Sequence, residues 1–397
     1  MIAMEPLSSL KVLDFTTLLP GPWATMMLAD LGAEVLRIEA PHRPDMVRLM
    51  PPFDGDSSAW HSALNRSKRS LVLDLKKPEA AKIVKRLVNQ GGYDIVIEQF
   101  RPGVMDRLGI GYESLRAANP QLIYCAVTGY GQSGPLRNRA GHDINYVSLA
   151  GVMSYSGRRA AGPSPLGVQL ADIGGGSLGA VVGLLAAIIH RQTSGEGQLV
   201  DISMLDMMLA WQTHIIGQYL VGLEVPESEA LPLNGGGAYD FYETADGRYL
   251  SVGSLEPKFW IGFCQAIERP DLINQGYIQE QTVQKTLKHE IRVCIASRPL
   301  AEWMAIFAPL DLCVEPVLDI AEVLELPQVQ ARGMIVEVEK GDGTTQRQIG
   351  SPFKFSVSAA NYRFSGAKLG AHADEVLAEI GYSEADIETF HNEGLLG

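Results

Sequence analysis

The sequence predicts an α/β fold, a doubly wound parallel sheet joined to a smaller α+β unit, and three observations carry that expectation. Short β-branched or apolar runs alternate with amphipathic segments through the N-terminal third, the mark of parallel strands joined by helices. At 397 residues the chain exceeds the size at which one hydrophobic core stops growing, so two domains are expected. Composition then shifts over residues 224–233, acidic and proline-bearing, before the flexible run Asn234-Gly235-Gly236-Gly237.

The first strand is expected over residues 11–15, after which Pro20-Gly21-Pro22 opens a helix to about Leu31 and a second strand covers 34–38. Together they make one right-handed βαβ unit. A strand over 71–75, a helix over 78–89, and strands over 94–98 and 122–127 continue the pattern. Ligands of such sheets bind beyond the carboxyl ends of the strands, which singles out the loops at 16–22, 98–101 and 128–134. The apolar run 178–189 reads as a buried helix, too short to span a bilayer. A strand over 199–203 and a Met- and Leu-rich helix over 204–220 follow. The expected division is 1–222 for the large domain, 223–325 for a small α+β domain, and 326–397 returning to the large one. Within the small domain, runs at 239–242 and 249–252 flank Ala245-Asp246-Gly247 as a hairpin, with helices over 258–267, 281–296 and 300–308.

Hydrophobic residues at 46% and charged ones at 20% suit a folded soluble enzyme. A net charge of -13 argues against a general nucleic-acid or anionic-membrane partner, since both demand a basic face. Cys125, Cys264, Cys294 and Cys313 are widely spaced with no C-x-x-C pair, so neither a metal site nor a disulfide framework is indicated and a reducing cytoplasm is expected. Residues 1–11 lack the basic start and apolar stretch of an export signal.

The densest chemical signal is Leu170-Ala171-Asp172-Ile173-Gly174-Gly175-Gly176-Ser177 ahead of the apolar helix. A carboxylate at a helix start meets free amide hydrogens and the positive dipole end, which favour its ionised form. Three glycines would let an acyl group approach the backbone, with amides ready for an oxyanion. Asp172 as a plain helix cap, with the glycines as packing points, fits the residues equally well. The run is not a G-x-G-x-x-G fingerprint, so a nicotinamide site is not expected. In Gly141-His142-Asp143-Ile144-Asn145-Tyr146, His142 is suited to acid–base work, although a solvated histidine is the commoner case. Basic residues at Arg66, Lys68, Arg69, Lys76, Lys77 and Arg101 could hold phosphates and Phe100 could face an adenine, or all could be ordinary surface.

Taken together, these segments resemble the family III CoA-transferases, the group that includes the α-methylacyl-CoA racemases. The markers are Leu13-Asp14-Phe15 with Pro20-Gly21-Pro22, Asp30-Leu31-Gly32-Ala33-Glu34-Val35, residues 65–75 (NRSKRSLVLDL), Phe100-Arg101-Pro102-Gly103, residues 129–134 (GYGQSG), and Ala171-Asp172. The resemblance implies a Rossmann-like large domain built from both ends of the chain, a smaller central domain and an interlaced homodimer. It implies an acyl-CoA substrate, with coenzyme A as part of that substrate, no permanently bound cofactor and no metal. It makes Asp172 the catalytic carboxylate, His142 an acid–base residue, and Glu256 a glutamate supporting the histidine. Its coenzyme A contacts carry over onto Leu18, Leu19, Leu73, Asp74, Leu75, Lys76, Gln99, Phe100, Arg101, Arg107, Gly141, Asp143 and Tyr146. One departure is Ala40, where relatives often have an arginine; Arg43 stands three residues on. The histidine string, Glu256 and Leu18-Leu19 in place of a glutamine lean towards racemisation of a 2-methylacyl-CoA. The alternative is CoA transfer through an Asp172 thioester. The Gly235-Gly236-Gly237 loop and the methionine-rich helix suit an adaptable apolar acyl pocket.

Overall fold

The computed structural model describes residues 5–278 and 280–396. One unit takes the residues up to Ala150, Gly167–Trp211 and everything from Gln328 on; the other takes Gly151–Leu166 and Gln212–Pro327.

In the larger unit, strands β1 (Lys11–Phe15), β2 (Glu34–Glu39), β3 (Lys68–Val72), β4 (Ile95–Glu98), β5 (Ile123–Thr128) and β6 (Leu199–Ser203) pair in the order β3-β2-β1-β4-β5-β6. Every pairing is parallel, with Val12 opposite both Val35 and Ile95, and Tyr124 opposite Leu199. Strand order reverses between β1 and β4, where a sheet of this kind leaves a crevice beyond its strand ends. Helices α1 (Pro20–Asp30) and α2 (Pro78–Asn89) each start on proline, whose fixed φ suits a first helical position. Along α2, Ala80, Ile83, Val84, Leu87 and Val88 form one buried stripe at helical spacing.

Successive strand residues point to opposite faces, and both faces are covered. Leu13, Leu36, Leu71, Val96 and Tyr124 share a core with α2 and with Val376, Leu377, Ile387 and Phe390 of the C-terminal helices Ala373–Glu379 and Glu384–Asn392. Val12, Val35, Ile95, Ile97 and Ile123 share the other core with α1 and with Leu184 and Ile188. Three further helices complete what the site needs: α3 (Asp143–Leu149), α4 (Leu178–Ser194) and α5 (Met204–Trp211), with a π-helical stretch, Leu170–Ser177, running into α4.

The smaller unit contains α6 (Thr213–Gly222), a three-stranded antiparallel sheet of β7 (Asp240–Glu243), β8 (Tyr249–Val252) and β9 (Val314–Pro316), and helices α7 (Pro257–Ala266), α8 (Gln281–Ile295) and α9 (Leu300–Phe307). Its core gathers Tyr242, Leu250, Trp260, Phe263, Leu287, Ile291, Trp303 and Phe307. Arg158 and Lys288 both pair with Asp240, which ties residues 151–166 to this unit.

Four sequence expectations need correction. The strand expected at 71–75 is β3, three residues earlier, because buried partners let Lys68 and Ser70 serve as strand residues. The helix expected over 204–220 is two, broken at Gln212, whose φ of -93° and ψ of 15° leave the helical region. The apolar run is longer than 178–189: Leu170–Ser194 is one helical stretch of 25 residues, long and apolar enough by length and composition to cross a membrane, although Ala180, Leu184 and Ala187 pack in the core. The units meet in sequence at 150/151, 166/167, 211/212 and 327/328, so residues 151–166 leave the expected 1–222 stretch for the smaller unit and the later boundaries move from 222/223 and 325/326.

Candidate active site

The loop after Phe15 leaves the carboxyl end of β1, where the strand order reverses, and buried polar groups hold it in place. The Asp14 carboxylate accepts from Thr16 N (2.9 Å), Thr16 Oγ1 (2.5 Å) and Thr25 Oγ1 (2.5 Å). Lys68 donates to Pro22 O (2.8 Å) and Asn65 Oδ1 (2.9 Å) and lies 3.4 Å from Asp14. Burial pushes its ammonium down to about 7, with the Asp14 charge opposing. Gly21 donates to Gln99 Oε1 (3.1 Å), and Ser177 Oγ donates to Pro20 O (2.6 Å). A Cβ on Gly21 would fall 2.2 Å from the Thr16 side chain, so only glycine fits. Leu18 has a φ of 62°, a left-handed conformation costly for a non-glycine, and its N–H donates to Asp45 Oδ2 (2.9 Å). Asp45 is in turn held by the buried Arg37.

Of the expected coenzyme A contacts, Leu18 and Arg101, Arg107 and Lys76 are exposed, and Leu19, Asp74, Leu75, Gln99 and Phe100 are partly so. The Leu73 side chain is fully enclosed in the core, and its N–H donates to Glu39 O (2.8 Å). Lys76, Arg101 and Arg107 make no side-chain hydrogen bond or ion pair among the described residues, and the same holds for Arg43 beside Ala40. Arg66 and Lys68 are neither phosphate-binding nor solvated surface. Both are buried, and Arg66 binds Asp30 through two bonds of 2.8 and 2.6 Å. Glu98, the last residue of β4 and the first of the loop singled out at 98–101, was given no role of its own by the sequence; it accepts from Phe100 N (2.6 Å). Burial pushes its carboxyl up to about 8 against the pull of that amide, with the charges of Asp106 and Asp201 adding to the rise.

Asp172 lies in the first turn of the π-helix, a geometry that recurs at functional sites. It is not the cap of its helix. Asp143 Oδ1 takes the hydrogens of both Ala171 N (2.6 Å) and Asp172 N (3.1 Å). Nothing among the described residues donates to the Asp172 carboxyl itself. Its pKa therefore moves opposite to the sequence expectation: burial, and then the Asp143 charge, push it up to about 7. Nor do the three glycines face open space. A Cβ on Gly174 would meet the Trp211 ring at 2.2 Å, one on Gly175 the Met207 Cβ at 3.3 Å, and one on Gly176 the Pro20 Cβ at 3.0 Å.

His142 is exposed and immediately precedes α3; its N–H donates to Asn145 Oδ1 (3.0 Å). Since the next residue, Asp143, binds the Asp172 backbone, the string chosen around His142 and the segment chosen around Asp172 meet at one place. Tyr146 donates to Gly141 O (2.6 Å), and its ring lies edge-on to Tyr130 at 5.3 Å. Burial, helped by the Asp172 charge, pushes the Tyr146 hydroxyl up to about 12. A Cβ on Gly141 would come within 2.7 Å of that ring, so glycine is required there too. Glu256 belongs to the smaller unit, exposed at the N-cap position of α7.

A carboxyl that titrates near neutrality can both take and give a proton at working pH. A family model described as CoA-transferase family III matches residues 7–373. Human alpha-methylacyl-CoA racemase is 33% identical over 399 residues, covering 98% of this chain and 97% of that protein. Succinate--glutarate CoA-transferase of Agrobacterium fabrum is 35% identical over 387 residues, covering 94% and 96%. Among solved structures, a CAIB/BAIF family protein from Brucella suis superposes with a TM-score of 0.82 at 30% identity, over 94% of this chain and 99% of that one.

Proposed function

The chain belongs to CoA-transferase family III, and from that premise we propose that it epimerises the α-carbon of 2-methylacyl-CoA thioesters by proton transfer between Asp172 and His142. In this reading one of the two takes the α-proton, the electron pair moves into the thioester carbonyl as an enolate, and the other returns a proton to the opposite face. The observation that carries the reading is the carboxyl near 7: acid–base catalysis works best when the group titrates close to the operating pH. Coenzyme A is part of the substrate, and Lys76, Arg101 and Arg107 supply unpaired positive charge for its phosphates at the strand ends. In this reading the assembled enzyme is a homodimer with interlaced chains. In favour of a dimer, α6 carries Ile215, Ile216, Leu220 and Val221 yet has no buried residue.

A second reading rests on the Agrobacterium transferase, as similar to this chain as the racemase is. Here an ionised Asp172 attacks the thioester carbonyl, expels the CoA thiolate and forms a mixed anhydride. The thiolate then attacks the aspartyl carbonyl, releasing the carboxylic acid and leaving an aspartyl-CoA thioester.

One paired assay separates them. A 2-methylacyl-CoA incubated with enzyme in deuterated water is followed for α-deuterium, and an acyl-CoA donor with a free acid is followed for transfer with hydroxylamine as a trap. Racemisation gives exchange without acceptor, reduced by about 10²–10⁴-fold in Asp172→Asn or His142→Ala. A hydroxamate on Asp172 with transfer and no α-exchange overturns it.

A further inference from the structure

The amides at the head of the Leu170–Ser177 helix are natural donors to an anion, and the nearest catalytic anion is Asp172. They are not given to it. Both hydrogens go to one oxygen of Asp143, a residue on a different helix, at 2.6 and 3.1 Å. The Asp172 carboxyl is left half-buried with no donor among the described residues and with a second carboxylate beside it.

We infer that Asp143 is a positioning residue for Asp172: by occupying the two amides and placing its own charge against the reactive side chain, it makes Asp172 a proton carrier instead of a fixed anion. The inference rests on Asp172 being the reactive carboxyl and refines its role. Two effects act in the same direction. Losing two amide donors removes stabilisation of the charged form, and a neighbouring negative charge opposes it further.

No other charged group on the packed elements has that effect. The π-helix packs against α1, α3, α4, α5 and β6. On α1 the sole charged residue is Asp30, bound to Arg66 at the other end of the helix. On α4 they are His190 and Arg191, in its last turns, with Arg191 paired to Asp94. Asp206 lies on α5 and Asp201 on β6, the latter taken up by Gln132 N. On α3 stand Asp143 and Tyr146, with His142 just ahead; the Tyr146 hydroxyl is turned to Gly141 O. Of all these, Asp143 is the charge that bears on Asp172.

The test uses the full-length enzyme and two substitutions. Asp143→Asn keeps an oxygen acceptor for the two amides but removes the charge, while Asp143→Ala removes both and frees the amides. Protonation of Asp172 is read directly, by infrared difference spectroscopy of the carboxyl band against Asp172→Asn, so that the readout does not depend on which reaction is catalysed. The midpoint is expected to fall by about 1 pH unit in Asp143→Asn and further in Asp143→Ala. The acidic limb of kcat/KM should move with it. An unshifted midpoint in folded Asp143→Asn overturns the inference, and so does a raised KM for acyl-CoA with the midpoint unmoved, which would make Asp143 a ligand contact alone. A shifted midpoint in an enzyme that performs transfer without α-exchange leaves the inference standing and removes the racemase reading.

Discussion

Two basic stretches look alike in the sequence and behave in opposite ways in the fold. Arg66 and Lys68 are enclosed by the structure, with Asp30 and Asp14 as their counter-charges. Lys76, Arg101 and Arg107, all beyond the ends of strands, are exposed and have no counter-charge among the described residues. A cation under a loop shapes the loop, whereas a cation at its rim is available to a ligand. The comparison teaches that in this acidic chain location, more than local charge density, decides which basic residues can meet an anionic substrate.

The largest effect should come from breaking the enclosed pair. Arg66→Met leaves Asp30 buried without its partner and should cost about 3–5 kcal/mol of stability, measured by denaturant unfolding. If it costs less than about 1 kcal/mol, the contrast between the two stretches fails. Next, replacing Lys76, Arg101 and Arg107 together by alanine should raise KM for acyl-CoA by about 10–100-fold while changing stability by roughly 0.5 kcal/mol per site or less. Raised salt should mimic part of that loss in the native enzyme.

Lys68 sharpens the comparison through pH. Its folded pKa lies below the unfolded value near 10.5, so between about 7 and 10.5 the unfolded chain binds more protons and this group's contribution to stability grows with pH. Lys68→Met should flatten the stability profile over that window by on the order of 1 kcal/mol per pH unit, read from unfolding midpoints. The smallest effect belongs to Lys82, fully exposed and paired with Glu79 three residues earlier. Lys82→Ala should leave the unfolding midpoint where it is in the same assay.

Much of the fold could be read from the sequence because local and tertiary signals agree there. Residues 78–89 are a helix in both, since Pro78 sets the first turn and the apolar residues fall on one stripe. The third strand was displaced because Lys68 looks like a surface residue until Asp14, Asn65 and Pro22 supply its partners, two of them far away in sequence. Asp172 stood out through its glycine-rich context, yet the direction of its titration did not. That depends on an oxygen from Asp143, 29 residues earlier, reaching its amide first. Leu73, one residue past β3, was carried over by resemblance alone, and its side chain joins Leu71 in the core.

The division of the chain also bears on how it is made. The larger unit's core needs Val376, Leu377, Ile387 and Phe390, so its sheet is made well before the residues that close that face. The smaller unit draws on nothing beyond Pro327 and can complete itself while the other is still open. Synthesis therefore holds β1–β6, rich in apolar parallel strands, with one face uncovered for longer than any other part of the molecule. That interval is when chaperones have most to shield.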